Sequence, residues 1–188
     1  MKRAWLVSAI VLLGASTSLA ADDLAFVGNL SFFAGGRAGS GTTDSILYGP
    51  QASLGFRYGP WRGGGVARVG FSRSYGSSPG YDFGLFASGD LFSVWLDPQL
   101  ALALFLRVDG LARWVPSASS AGFVGYATLG LRIAGIELAY SGGPEFGLKI
   151  GPINDVAGGA FEFRVGLDIV EIVHLCQHFK DASRPQPP

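Results

Sequence analysis

The chain has 188 residues, enough for one domain with a substantial core, and its charge is sparse: 48% of residues are hydrophobic, 15% are charged, and the formal net charge is zero. With no basic excess and no basic tail, nucleic acid is excluded as a partner. A single cysteine, Cys176, excludes an intrachain disulfide framework, and 29 glycines with 14 phenylalanines favour strands and turns over helices.

Lys2 and Arg3 precede an apolar run from Ala4 to Gly14, and Ser18-Leu19-Ala20 fits a small-x-small cleavage site. These are the three parts of a secretory signal peptide, so residues 1–20 are expected to be removed on export. The run is too short for a membrane-spanning helix, which needs roughly 20 residues.

From there the chain alternates. A strand is expected over 24–35. Over 46–58, Ile46, Tyr48, Pro50, Ala52, Leu54, Phe56 and Tyr58 share one parity against Leu47, Gly49, Gln51, Ser53, Gly55 and Arg57. Over 64–75, Ala67, Val69 and Phe71 oppose Arg68, Gly70 and Ser72. Over 80–95, Tyr81, Phe83, Leu85, Ala87 and Leu91 oppose Asp82, Gly84, Phe86, Ser88 and Asp90. The segment 100–115, LALALFLRVDGLARWV, puts leucines, Val108, Ala112 and Trp114 on even positions and Arg107, Asp109 and Arg113 on odd ones. A helix would scatter those charges around its axis, whereas a strand gathers them on one face. Over 122–133, Phe123, Ala127, Leu129, Leu131 and Ile133 oppose Tyr126, Thr128 and Arg132; 136–150 follows less cleanly. Over 160–169, Phe161, Phe163, Val165, Leu167 and Ile169 oppose Glu162, Arg164 and Asp168.

This makes about eight strands. Tight connections near 59–62, 96–98 and 134–135 alternate with looser ones near 36–45, 76–79, 116–121 and 151–159. That rhythm predicts an all-β, antiparallel up-and-down barrel with both termini on one side. The barrel is expected over 21–179, with a short Pro-rich tail over 180–188. Phe179 has the outward parity of Phe161, but the run from Asp168 to Phe179 also has a helical period, so two conformations remain open for the last segment.

Three features assign the faces. The polar parity mixes glycine, serine and alanine with charges of both signs and has almost no lysine, which suits a narrow filled interior better than a solvated face. Tyr58, Trp61 and Trp95 fall near the tight turns, and Tyr48, Tyr75, Tyr81 and Trp114 near the looser loops, as two girdles at headgroup level would. Several strands run about 12–16 residues, well over the usual roughly 5–6 and long enough to cross lipid.

Signal peptide, alternating strands, one-sided tight turns and aromatic girdles together resemble the small eight-stranded outer-membrane β-barrel proteins of OmpA/OmpX-like architecture, over about residues 22–179. The resemblance implies an outer-membrane location, with outer-membrane lipid and the barrel-assembly machinery as partners. A soluble periplasmic barrel or sandwich with the polar parity outward and an apolar ligand inside is the alternative.

With the polar parity inward, the interior is expected to hold Arg57, Arg68, Asp82, Asp90, Arg107, Asp109, Arg113, Arg132, Glu137, Glu162, Arg164 and Asp168. Buried charges must be paired. A hairpin at Ala134-Gly135 sets Arg132 opposite Glu137, and one at Asp97-Pro98 sets Asp82 opposite Arg113. The network reads as a polar plug rather than an ion path, since eight strands enclose a lumen just wide enough for side chains to fill. The expected role is structural, surface contact, or the binding of a small partner.

No cofactor is implied. Lipid-modifying barrel enzymes need a histidine beside a serine and a carboxylate; His174 and His178, the two histidines, fall at the end of the last strand on the side of the termini, so catalysis is not expected. His174, Cys176 and His178 would share one face of a strand, but three ligands with no fourth are a weak metal signal. Asn29-Leu30-Ser31 matches a glycosylation sequon in mid-strand, and Gly63-Gly64-Gly65 reads as a turn or bulge.

Overall fold

Period-two alternation over long segments dictates a sheet with two unlike faces, and joining neighbours by short turns makes it antiparallel. In the computed structural model, which describes residues 24–39, 46–72, 78–97, 100–116, 120–150 and 153–182, this sheet closes on itself. The strands are β1 (Ala25–Gly39), β2 (Ile46–Tyr58), β3 (Trp61–Ser72), β4 (Gly80–Asp97), β5 (Leu100–Val115), β6 (Ser120–Ile133), β7 (Ile136–Ile150) and β8 (Ile153–Asp168). Each pairs antiparallel with its sequence neighbours, and β1 pairs with β8 to complete a closed eight-stranded barrel. Closure removes the unpaired edges that an open sheet would leave.

The turns lie close to their predicted places. Gly59 and Pro60 join β2 to β3, so Trp61 and Arg62 already belong to a strand rather than to the connection. Ala134 and Gly135, both with positive φ (51° and 76°), make the two-residue turn between β6 and β7. Gly63, Gly64 and Gly65 form no turn; they pair within β3 on both sides. A Cβ on Gly64 would stand 2.1 Å from the Leu54 carbonyl oxygen, so glycine is what lets β2 and β3 approach where the wall curves tightly.

Two irregularities in the β4–β5 pairing, between Asp90 and Phe92 and between Trp95 and Asp97, shift the ladder. Asp97 pairs with Leu100, one residue beyond the predicted turn centre, yet Asp82 still faces Arg113 because the shifts compensate. The first shift also reverses the parity beyond Asp90: Phe92 and Val94 are exposed, where the alternation had put Leu91 outward.

The eighth strand ends at Asp168, and residues Ile169–Ala182 form a helix, α1. The barrel therefore does not extend as strand to 179, and Phe179 and positions 180–182 are helical. The start is local: the Glu171 backbone N–H donates to Asp168 Oδ1 at 3.1 Å, so Asp168 caps the helix as it leaves the sheet. Residues 1–20 and the tail beyond 182 lie outside the described residues.

Candidate functional site: an ionic barrel interior

The barrel is apolar outside and ionic inside. Leu54, Phe83, Leu85, Val108, Leu129, Leu138 and Phe163 are exposed on the outer wall, and every strand contributes to that surface. Arg68, Asp82, Arg107, Asp109, Arg113, Arg132, Glu162, Arg164 and Asp168 are buried within. Asp90 and Glu137 are half-buried at the tight-turn end.

The charges sort into three tiers along the barrel. At the tight-turn end, Arg132 Nε meets Glu137 Oε1 at 2.7 Å and its Nη1 meets Asp90 Oδ1 at 3.0 Å. Asn29 donates from Nδ2 to Glu137 Oε2 at 2.9 Å, so the sequon asparagine is taken up inside the wall. Across the mouth, Arg62 Nη1 lies 2.7 Å from Asp168 Oδ2.

In the middle tier, Arg107 grips Asp109 Oδ1 through Nε at 2.8 Å and Nη2 at 2.6 Å. Arg164 Nη2 reaches Asp109 Oδ2 at 3.3 Å and donates to Ser141 Oγ at 2.8 Å and to Thr128. Thr128 and Ser141 share a further hydrogen bond of 2.9 Å.

Toward the looser loops, Arg113 forks onto Asp82 with Nε–Oδ1 at 2.5 Å and Nη2–Oδ2 at 2.6 Å, and its Nη1 donates to Glu145. Such bidentate geometry is the strong form of an arginine–carboxylate pair. Arg68 Nη2 meets Glu162 Oε2 at 2.5 Å and its Nε stands 3.6 Å from Asp82. Arg164 Nε, 3.6 Å from Glu162 Oε1, links this tier to the middle one.

Aromatic rings fill the gaps between the pairs. The Arg68 guanidinium carbon lies 3.8 Å from the Phe33 ring centroid, Arg107 is 4.1 Å from Phe86, and Arg132 is 4.7 Å from Phe105. Arginine suits such a core because its planar, weakly hydrated cation stacks while it pairs. Two interior voids among the described residues are small: about 20 Å³ beside Arg107 and Arg132, and about 10 Å³ beside Gln51 and Arg164. Each holds about one water at most.

Arg57 is not part of this interior. It is exposed at the rim and donates from Nε to the Gly59 carbonyl at 3.0 Å. It pairs across the β2–β3 turn with Arg62, and two like charges directly opposite repel. Arg62 takes the inward site and Asp168; Arg57 turns out. Arg62 and Glu145 also lie in the interior, beyond the charges predicted there. Arg62 has the inward parity of Arg68 but falls in the Gly-Pro-Trp-Arg stretch that reads as a turn, and Glu145 has the parity of Glu137 in a strand whose alternation is less clean.

Among the girdle residues, Tyr48, Tyr58, Trp61 and Trp114 are exposed outward, and Tyr81 is half-exposed. Tyr58 faces Trp61 across the tight turn. Near the loops, Tyr48 stacks on Phe71 and Tyr81 packs on Trp114, both at 5.9 Å. Tyr75 and the Trp95 side chain lie outside the described residues. So do the His174 and His178 side chains. The helix separates Cys176 from both positions by about half a turn, so the shared face expected of a strand is lost.

No family model matches the chain, and no curated protein matches its sequence at a significant level. Among solved structures, it is similar to the crystal structure of Neisserial surface protein A (NspA), with a TM-score of 0.50 and 13% identity over 78% of this chain and 99% of that one. The likeness is one of fold: a closed, all-antiparallel, eight-stranded β-barrel.

Proposed function

We propose that this chain is an outer-membrane β-barrel with a filled, non-conducting interior, acting as a structural or surface-contact protein or as the holder of a small partner. The observation that carries this reading is the inversion of the fold. An apolar outer wall on all eight strands encloses six arginines and seven carboxylates joined by ion pairs, counted among the described residues. A water-soluble protein rarely leaves an apolar surface that large uncovered, whereas lipid requires one. The soluble alternative places the polar parity in water, and here that parity is packed inside. The similar solved barrel is by name a surface protein, which agrees with this reading.

The interior favours a plug. Among the described residues its charges are paired, several of them stacked on rings, and the two voids beside Arg107 and Arg164 are the size of single waters. The test is cell fractionation with gel migration before and after boiling. A detergent-requiring protein whose mobility shifts on boiling is the expected result; a salt-soluble periplasmic protein refutes the proposal.

A further inference from the structure

α1 is turned the opposite way from a helix that faces water. Its half-buried side is Val170, Glu171, Ile172 and Leu175. Ile172 packs against the β6–β7 turn, where a Cβ on Gly135 would lie 2.7 Å from its Cγ1, and Val170 reaches the outward side of Gly28 on β1. Glu171 joins Arg57, Arg62 and Asp168 around a cavity of about 210 Å³ between the helix and the barrel mouth. The charged side of the first turns therefore faces the barrel's own charges.

Over its first two turns the side turned away is apolar, with Gln177 exposed at its margin. Ile169 and Val173 are 40% and 46% exposed, and Cys176 is exposed with them. At 3.6 residues per turn, these three fall within an arc of about 60°. The stripe begins where β8 ends, directly after the outward residues Phe163, Val165 and Leu167, so it continues the apolar outer wall onto the helix. A helix facing water carries its polar residues outward; a helix lying in a bilayer interface turns its apolar stripe toward the acyl chains.

We infer that α1 is an interfacial helix, seated in the leaflet at the tight-turn end of the barrel with Ile169, Val173 and Cys176 against lipid. This rests on the membrane-barrel reading above and goes beyond it. The occupant of the stripe is the bilayer that surrounds the barrel, because the stripe is continuous with the barrel's outer wall and Asp168 holds the helix to the end of β8 through its cap and its inward pair with Arg62. Besides anchoring the last strand, the helix covers part of the mouth that the ion pairs of Arg62 and Arg132 close from within.

Cys176 is the sole cysteine of the chain and lies on the stripe, so it reports directly. The refolded barrel, labelled at Cys176 with a small fluorophore, is placed in phosphatidylcholine vesicles containing brominated lipid. A second protein carries the same label at Leu131→Cys in a Cys176→Ser background, on the outer wall near the same end. The expected result is loss of emission from both labels, with Cys176 losing most to lipids brominated near the headgroup. Val173→Glu, which puts a charge into the stripe, should abolish the loss at Cys176 while the heat-modifiable barrel persists. Quenching at Leu131→Cys without quenching at Cys176 overturns the helix inference and leaves the barrel reading standing. A Cys176 label shielded from both lipid and aqueous quencher overturns it in favour of a protein neighbour, and so does quenching that survives Val173→Glu. If neither label is quenched, the membrane reading fails first and the helix inference with it.

Discussion

Arg113→Met probes the ionic interior at its most buried point. The Arg113 side chain is 1% exposed, and its guanidinium neutralises Asp82 through two hydrogen bonds and Glu145 through a third, the two acidic side chains being 4% and 1% exposed. Methionine fills most of the volume but supplies no charge, so both carboxylates keep their burial and lose this partner. Among the described residues, Asp82 then keeps the longer approach from Arg68, at 3.6 Å. Breaking a buried pair by removing one member costs about 3–5 kcal/mol. A urea titration of the refolded barrel, followed by the boiling-dependent gel shift, should show this as a midpoint lowered by about 2 M for a urea slope of roughly 2 kcal/mol per M. Adding Asp82→Asn should recover part of the loss, because the two residues are in direct contact and their effects do not add. A loss below about 1 kcal/mol, the value of a solvated pair, would mean that water screens the interior, and the account of a dry plug would be wrong.

Asp168→Ala removes the helix cap and the partner of Arg62 together; α1 should become protease-sensitive while β1 to β8 still give the gel shift, and an unchanged digestion pattern would show that the cap does not hold the helix. Val108→Arg places a charge on the outer wall midway along β5; in a bilayer it should cost about 2–4 kcal/mol in a folding titration, whereas a surface that faces water would accept it at almost no cost. Ala134, at a φ of 51°, occupies a turn position that asparagine prefers, so Ala134→Asn should raise stability by about 1 kcal/mol in the same titration; a fall would mean that the turn has another shape.

The alternation was legible wherever the two faces meet different surroundings. In 100–115 the even positions are apolar and the odd ones hold Arg107, Asp109 and Arg113, and β5 has that division. The facing of Arg132 with Glu137, and of Asp82 with Arg113, followed from turn positions alone, the second only because two later irregularities cancelled a misplaced turn. Local features that parity does not encode were not legible. The bulge after Asp90 turns Phe92 outward; Gly89 lies beside it, but glycines recur throughout the strands and do not single it out. Arg57 and Arg62 both have inward parity, and only repulsion between them, resolved by Asp168 across the mouth, decides which one is inside. After Asp168 the sequence fits a strand and a helix alike; the Asp168 cap starts the helix locally, and the packing of Ile172 on the Gly135 turn, a segment distant in the chain, holds it.

The central claim is that the barrel crosses the membrane and is closed within. Its most direct test is a planar-bilayer recording of protein whose insertion is verified by the gel shift in the same preparation. The packed tiers of Arg62, Arg107, Arg113, Arg132 and Arg164 predict a flat baseline at applied voltage. A sustained, ion-selective open-channel current would contradict the account.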